Sequence, residues 1–248
     1  MPDWHALVAA TPRERIAGTL WRLVESQEQV ATNRLVASLE RQAVLEDMLD
    51  ATKPAWRRGS EDLHYLLATS FRYPPLKHGS RFGTRAEASL FYGALAVRTV
   101  LAEAAYYRFV FWVGMRVPPA RKLDTQHTLF TARYATDAGI RLQAPPFAAH
   151  RSALADPADY RASQALGHAM REAGVAAFEF FSARDAGDGV NVALFTPAAL
   201  AGREPVTQEA WLCELNGERV RFRASHGREL FDFPFASFAI DGRLPWPA

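Results

Sequence analysis

Cysteine is almost missing: the 248-residue chain holds one, Cys213. A single thiol allows no intrachain disulfide and no Cys-rich zinc site. Histidine is sparse, and His5, His64, His78, His127, His150, His168 and His226 form no H-x-x-x-H pair, so no metal centre is expected. There is no Gly-x-Ser-x-Gly elbow, which argues against a serine hydrolase of the α/β type. Gly187-Asp188-Gly189 has no Gly-Lys-Ser/Thr after it and reads as a loop between strands. An excess of one charge is also lacking, with 29 Lys and Arg against 27 Asp and Glu and a formal net charge of +2. A dedicated nucleic-acid binder would carry a strongly basic face, so direct nucleic-acid binding is not expected. Long hydrophobic runs are absent too. The most apolar stretch, Phe109 to Val117, is about half the roughly 18 residues of a membrane span. Met1 to Ala10 has no basic segment followed by an apolar one, so no secretory leader is expected and a cytoplasmic setting follows. No internal repeat or low-complexity segment is found.

What is present suits an ordinary core: 49% of residues are hydrophobic and 23% charged. The length fits one large domain, or one with an appendage. Residues 1–60 read as a helical N-terminal arm. Thr11-Pro12-Arg13-Glu14 has the form of a capping box with proline at the first helical position. Ile16, Leu20, Leu23, Val24, Leu35, Leu39, Val44, Leu45, Met48 and Leu49 then recur mostly at gaps of three, four and seven, up to Pro54. Such an arm packs on the following domain or, alternatively, binds a partner or a second copy, so a homo-oligomer is compatible with it.

Residues 61–248 read as the main domain. Asp62 to Thr69 is a short apolar element, and Phe71 to Pro75 is expected to be extended because proline disfavours helix at the residue before it. Leu90 to Ala94 is expected to be a strand running into a helix that reaches Tyr107. Thr128 to Thr136, Val175 to Phe181 and Val190 to Phe195 read as strands. Tyr160 to Ala173 reads as a helix ended by Gly174. Asn216-Gly217 marks a hairpin within 209–224, with Arg219, Arg221 and Arg223 on its solvated face. The fold class is therefore α+β, with antiparallel strands and few helices behind a helical arm.

Charge is uneven along the chain. Residues 61–125 carry nine Lys or Arg against five Asp or Glu, whereas 126–248 carry twelve against fourteen. The excess surrounds Gly79-Ser80-Arg81-Phe82-Gly83. Glycine permits close backbone approach and the arginine fork fits a pyrophosphate, although glycines flanking an arginine also make an ordinary surface turn. Glu103 lies in an apolar, alanine-rich run. A carboxylate in such a run is partly buried and must be compensated, either by a structural pair with Arg98 or a neighbouring arginine, or by a role in a site. Arg81, Tyr92 and Glu103 are spaced eleven residues apart across a turn, a strand and a helix, a layout that brings cation, phenol and carboxylate to one end of a sheet.

Residues 70–197 resemble the RES domain, named for its arginine, glutamate and serine. The matching stretches are Phe71-Arg72-Tyr73, Gly79 to Gly83, Leu90-Phe91-Tyr92-Gly93-Ala94 and Thr99-Val100-Leu101-Ala102-Glu103, followed by Tyr160 to Gly167, Phe181-Ser182-Ala183-Arg184 and Asn191 to Pro197. The resemblance implies a fold similar to the diphtheria-toxin-like ADP-ribosyltransferases, with a split β-sheet, and NAD+ as substrate. It implies the toxin of a type II toxin–antitoxin pair, whose Xre-type helix-turn-helix antitoxin covers the site. Family members cut the nicotinamide–ribose bond by hydrolysis or phosphorolysis, and one branch transfers ADP-ribose to an enzyme of nucleotide synthesis. Carried over by motif, Arg81, Tyr92 and Glu103 are the catalytic set, and Arg72, Tyr73 and either Ser163 or Ser182 contact the ligand. A non-enzymatic nucleotide-binding regulator is the alternative from another class.

Overall fold

The computed structural model describes residues 2–26 and 38–246. Trp4–Ala10 forms α1, capped by the Asp3 carboxylate, which accepts from the Ala6 amide at 3.0 Å. β1 (Glu14–Glu25), α2 (Leu39–Ala51) and α3 (Tyr65–Arg72) follow, then β2 (Phe91–Ala94), α4 (Val97–Val113) and the long β3 (Leu123–Arg141). After α5 (Arg151–Leu154) and α6 (Arg161–Glu172) come β4 (Ala177–Phe181), β5 (Val190–Leu194), β6 (Thr207–Leu215), β7 (Arg219–Ala224) and β8 (Leu230–Pro234).

The strand order is β1-β2-β5-β4-β3-β6-β7-β8, and β1 also pairs with β3. The β3–β4 pair is parallel and the others are antiparallel. Two halves result, β2–β5–β4 and β1–β3–β6–β7–β8. They meet through three parallel pairs, Gly139↔Ala177 to Arg141↔Glu179, and through the pair Trp21↔Ala94. The α+β class and the split sheet match the expectation. Because β1 and β2 touch at one register position, they diverge, and the space between them becomes a cavity.

Glu14–Glu25 corrects the expected helical arm: it is a strand inside the sheet, in register with β3 from Glu14↔Gly139 to Glu25↔His127. Ile16, Leu20 and Val24 lie on one face, packed with Phe91 and Phe130, while Trp21 and Leu23 pack on the other face. The alternation is hidden because Gly18 and Arg22 occupy the intervening positions of the first face. What remains is an apolar gap of four, which mimics a helix. Gly18 lies close under the Tyr134 ring, and a Cβ there would stand 3.2 Å from it, a tight contact that would push the ring by a few tenths of an ångström. The apparent capping box is the α1–β1 turn, where Arg13 Nη1 donates to the carbonyls of Val8 and Thr11 at 3.1 and 2.9 Å. Leu39–Ala51 is helical as expected, whereas the expectation for Leu35 falls outside the described residues.

Phe71 and Arg72 belong to α3, correcting the extended reading of Phe71 to Pro75. The proline effect reaches only Tyr73, whose φ of −89° and ψ of 144° end the helix before Pro74. The remaining strands, α6 with its left-handed Gly174 (φ +71°), and the β6–β7 hairpin form as expected. Asn216 fixes the hairpin turn by accepting from the Glu218 and Arg219 amides at 2.9 and 2.8 Å.

Candidate active site

A cavity of about 560 Å³ opens at the split between the sheet halves. β1 contributes Arg22 and Val24, β2 contributes Tyr92 and Gly93, and α3 contributes Tyr65 and Leu66. α4 presents Val100, Glu103, Ala104 and Tyr107, the i, i+3, i+4, i+7 face of one helix.

Arg81 sits at the tip of a turn closed by Ser80 and Gly83, the Ser80 amide donating to the Gly83 carbonyl at 2.7 Å. Gly79 permits the turn: its φ is +75°, and a Cβ there would lie 2.4 Å from the Gly83 oxygen. Gln164 of α6 braces it from below, its Nε2 donating to the His78 and Ser80 carbonyls at 3.1 Å each. The turn buries Phe82 fully between Phe178 and Phe180 and turns Arg81 toward the cavity. Arg81 Nη1 donates to the carbonyls of Leu154 and Asp156 at 3.2 and 2.8 Å, and its guanidinium lies 4.5 Å from the Tyr160 ring centroid. A guanidinium held on two carbonyls and an aromatic face is fixed in place with donors to spare.

Tyr92 lies across the turn from Arg81. Its hydroxyl is 3.0 Å from Ser80 Oγ and accepts from the Phe82 amide at 3.2 Å. Burial pushes this phenol up to about 12, so it stays protonated and able to donate at neutral pH.

Glu103 completes the set. Its Oε1 accepts from Ser182 Oγ at 2.6 Å and from Asn191 Nδ2 at 2.7 Å. Both bonds fall on one oxygen, which orients the carboxylate and leaves Oε2 for a ligand in the cavity. The structural pair with Arg98 does not form, because Arg98 lies 3.8 Å from Asp185 and over the Phe233 ring. Glu103 is thus held by neutral donors, and among the described residues no cation pairs with its charge. A carboxylate in that state stabilises positive charge developing in the cavity.

A family model described as the RES domain matches residues 54–216, about two thirds of the chain. This chain belongs to the RES-domain family. Among solved structures it is similar to the M. tuberculosis MbcT–MbcA toxin–antitoxin complex, with 11% identity, a TM-score of 0.48, and 93% of this chain and 91% of that chain covered. Among curated proteins no significant match is found.

The RES protein brings Arg81, Tyr92 and Glu103 to one cavity, and Tyr73 joins them at its rim. Arg72 is not there. Its Nε donates to the Pro54 carbonyl at 2.5 Å, and its guanidinium lies 4.1 Å from the Trp56 ring centroid, away from the lining. That corrects its assignment as a pocket residue: as the last residue of α3, its side chain follows the helix rather than the strand direction assumed for it. Ser163 also stands apart, fully buried in the first turn of α6 with its hydroxyl donating to the Tyr160 carbonyl at 3.1 Å. Ser182 meets the site through Glu103 and not through the cavity wall. Its oxygen also accepts from the Arg184 and Asp185 amides at 3.0 and 3.1 Å, so its proton is aimed at Glu103.

Sequence reasoning missed several residues of this RES site. Asn191 is buried, an amide at the second position of a strand otherwise built from Val, Ala and Leu, and that isolated polar residue was the available signal. Tyr160 and Tyr107 line the cavity beside Arg81 and Glu103, and desolvation of its hydroxyl, with Tyr160 and the Glu103 carboxylate beside it, raises the Tyr107 phenol well above its ordinary value. Arg22 lay inside a segment read as helix. Among the described residues no group of three or more His, Cys, Asp or Glu could hold a metal, and no helix is long and apolar enough to cross a membrane.

Proposed function

We propose that this RES protein cleaves the nicotinamide–ribose bond of NAD+, acting as the toxin of a type II toxin–antitoxin pair. The observation that carries the reading is Glu103, oriented by two neutral donors and uncancelled by a cation, on the wall of a cavity that also holds Arg81 and Tyr92.

Nicotinamide is already a cationic leaving group and needs no general acid. The C1′–N bond breaks with its electron pair going to the nicotinamide ring nitrogen, and the ribose becomes oxocarbenium-like, as in other glycosidic cleavages. Glu103 Oε2 accepts from a ribose hydroxyl and stabilises the cation. Arg81 holds the pyrophosphate with its remaining donors. Tyr92 orients the nicotinamide ribose by ring contact and a protonated hydroxyl. A water or hydrogen phosphate oxygen then bonds to C1′ from the open side and loses its proton to solvent, giving ADP-ribose or its phosphate. An Xre-type antitoxin covering the cavity in the cytoplasm completes the reading.

The test is a chromatogram of NAD+ incubated with purified protein, with and without phosphate. Release of nicotinamide is expected, falling about 10²- to 10³-fold in Glu103→Gln. Intact NAD+ with the wild-type protein overturns the reading. Labelled NAD+ in cell lysate separates the variants of the chemistry: a labelled protein band assigns ADP-ribose transfer instead, and binding without turnover assigns the regulator.

A further inference from the structure

Arg22 lies outside the span matched by the family, on the strand that was expected to be an arm. Its guanidinium lines the cavity. Nη1 donates to the Tyr92 carbonyl at 2.5 Å, and the guanidinium carbon stands 4.9 Å from the Phe91 ring centroid. Nε is buried and has no partner among the described residues. The acid nearest along its strand, Glu25, is committed to Arg108 at 3.2 Å. Burial pushes the Arg22 guanidinium down to about 10, which still leaves it cationic at neutral pH.

A desolvated cation with an unused donor and no anion is costly in a folded protein, and the usual compensation is an opposite charge. Here the described residues supply a carbonyl, an aromatic face and open cavity; Glu25 and Glu103 line the same cavity, but neither forms an ion pair with Arg22. We infer that Arg22 binds a phosphoryl oxyanion, adding to the site an anion-holding group that comes from the N-terminal strand. This rests on the reading of the cavity as a dinucleotide site and deepens it. Arg22, like Arg81, commits only Nη1 to backbone carbonyls, and among the described residues its Nη2 makes no hydrogen bond and is left for a ligand. The oxyanion has two possible sources, the diphosphate of the dinucleotide or free phosphate that serves as acceptor.

The test uses the full chain with three probes, ADP, inorganic phosphate and NAD+, against Arg22→Met and Arg22→Lys. Titration calorimetry on wild type is expected to show binding of ADP or phosphate. Arg22→Met weakens it by about 30-fold or more, as expected for losing a charge-assisted hydrogen bond, and Arg22→Lys restores it only in part. Loss of ADP binding assigns the diphosphate, and loss confined to phosphate assigns the acceptor. Without ligand, Arg22→Met melts at or above the wild-type temperature, because an uncompensated cation is gone. A merely structural tie to Tyr92 would lower the melting temperature and leave anion binding unchanged, and that pair of results overturns the inference. Anion binding lost in Arg22→Met while wild type leaves NAD+ intact keeps the inference and rejects NAD+ cleavage. The converse, NAD+ cleaved and ADP and phosphate bound equally well by Arg22→Met, rejects the inference alone.

Discussion

Ser182 is joined to Glu103 by a 2.6 Å hydrogen bond that spans 79 residues of chain. It ties the loop after β4 to the middle of α4, and Asn191 of β5 repeats the tie on the same oxygen. The carboxylate of a helix is therefore aimed by groups that the sheet and its loop supply.

Ser182→Ala is expected to lower kcat for NAD+ consumption by about 10-fold, with KM little changed, because one hydrogen bond of about 1.5 kcal/mol to the carboxylate it orients is lost. Ser163→Ala, which removes a bond from Tyr160 deep inside α6, leaves both parameters near wild type. Steady-state kinetics on the two variants checks this. Equal effects of the two would rule out Ser182 as the positioning serine.

Gly167 packs α6 directly onto the Arg81 turn. A Cβ there would lie 2.1 Å from the Phe82 carbonyl oxygen and 2.8 Å from its carbon, and backbone cannot swing aside. Gly167→Ala is expected to cost about 1–3 kcal/mol or more and to lower activity with it. Gly187→Ala, with its nearest contact at 3.4 Å, serves as the control. Chemical denaturation and NAD+ turnover are the two readouts, and a Gly167→Ala protein as stable as the control would contradict the packing.

β1 belongs to the sheet, so removing residues 1–26 is expected to leave no soluble folded protein rather than a trimmed domain. Leu20→Ala alone is expected to cost about 2–5 kcal/mol, since Leu20 is fully buried. Circular dichroism melts of both proteins decide, and a cooperative melt from residues 27–248 alone would restore the arm.

His127 is buried, and burial with the Arg108 cation beside it pushes its imidazole down to about 4. In the unfolded chain the ring takes its proton near pH 6.5. As pH falls from about 6.5 toward 4 the unfolded state binds the extra proton and the folded state does not, so stability is lost across that window and is flat above it. The loss attributable to this group reaches about 3 kcal/mol. Urea midpoints at about pH 7 and pH 4.5 are expected to lie closer together in His127→Asn than in wild type.

Legibility in the sequence followed the range of each signal. β4, β5, α6 with Gly174, and the Asn216-Gly217 hairpin announced themselves through local alternation and turn residues. That Arg81, Tyr92 and Glu103 share one cavity is readable because motif and spacing coincide over a single turn–strand–helix unit. β1 was misread because Gly18 and Arg22, each placed for a tertiary reason, interrupt the period of two. The motif assigns Arg72 to the cavity, but its direction depends on where α3 stops, which the tract before Pro74 does not reveal. Choosing between Ser163 and Ser182 needed the distance to Glu103, a fact of packing that no sequence pattern carries.

The register of Glu14 with Gly139 has a consequence for synthesis. Once made, β1 must wait for more than a hundred further residues before it finds its partner, a long-range closure of the kind that slows folding. The Glu103 clamp waits longer still, until Ser182 and Asn191 have emerged. The clamp that aims the carboxylate is therefore complete only once about three quarters of the 248 residues have been made.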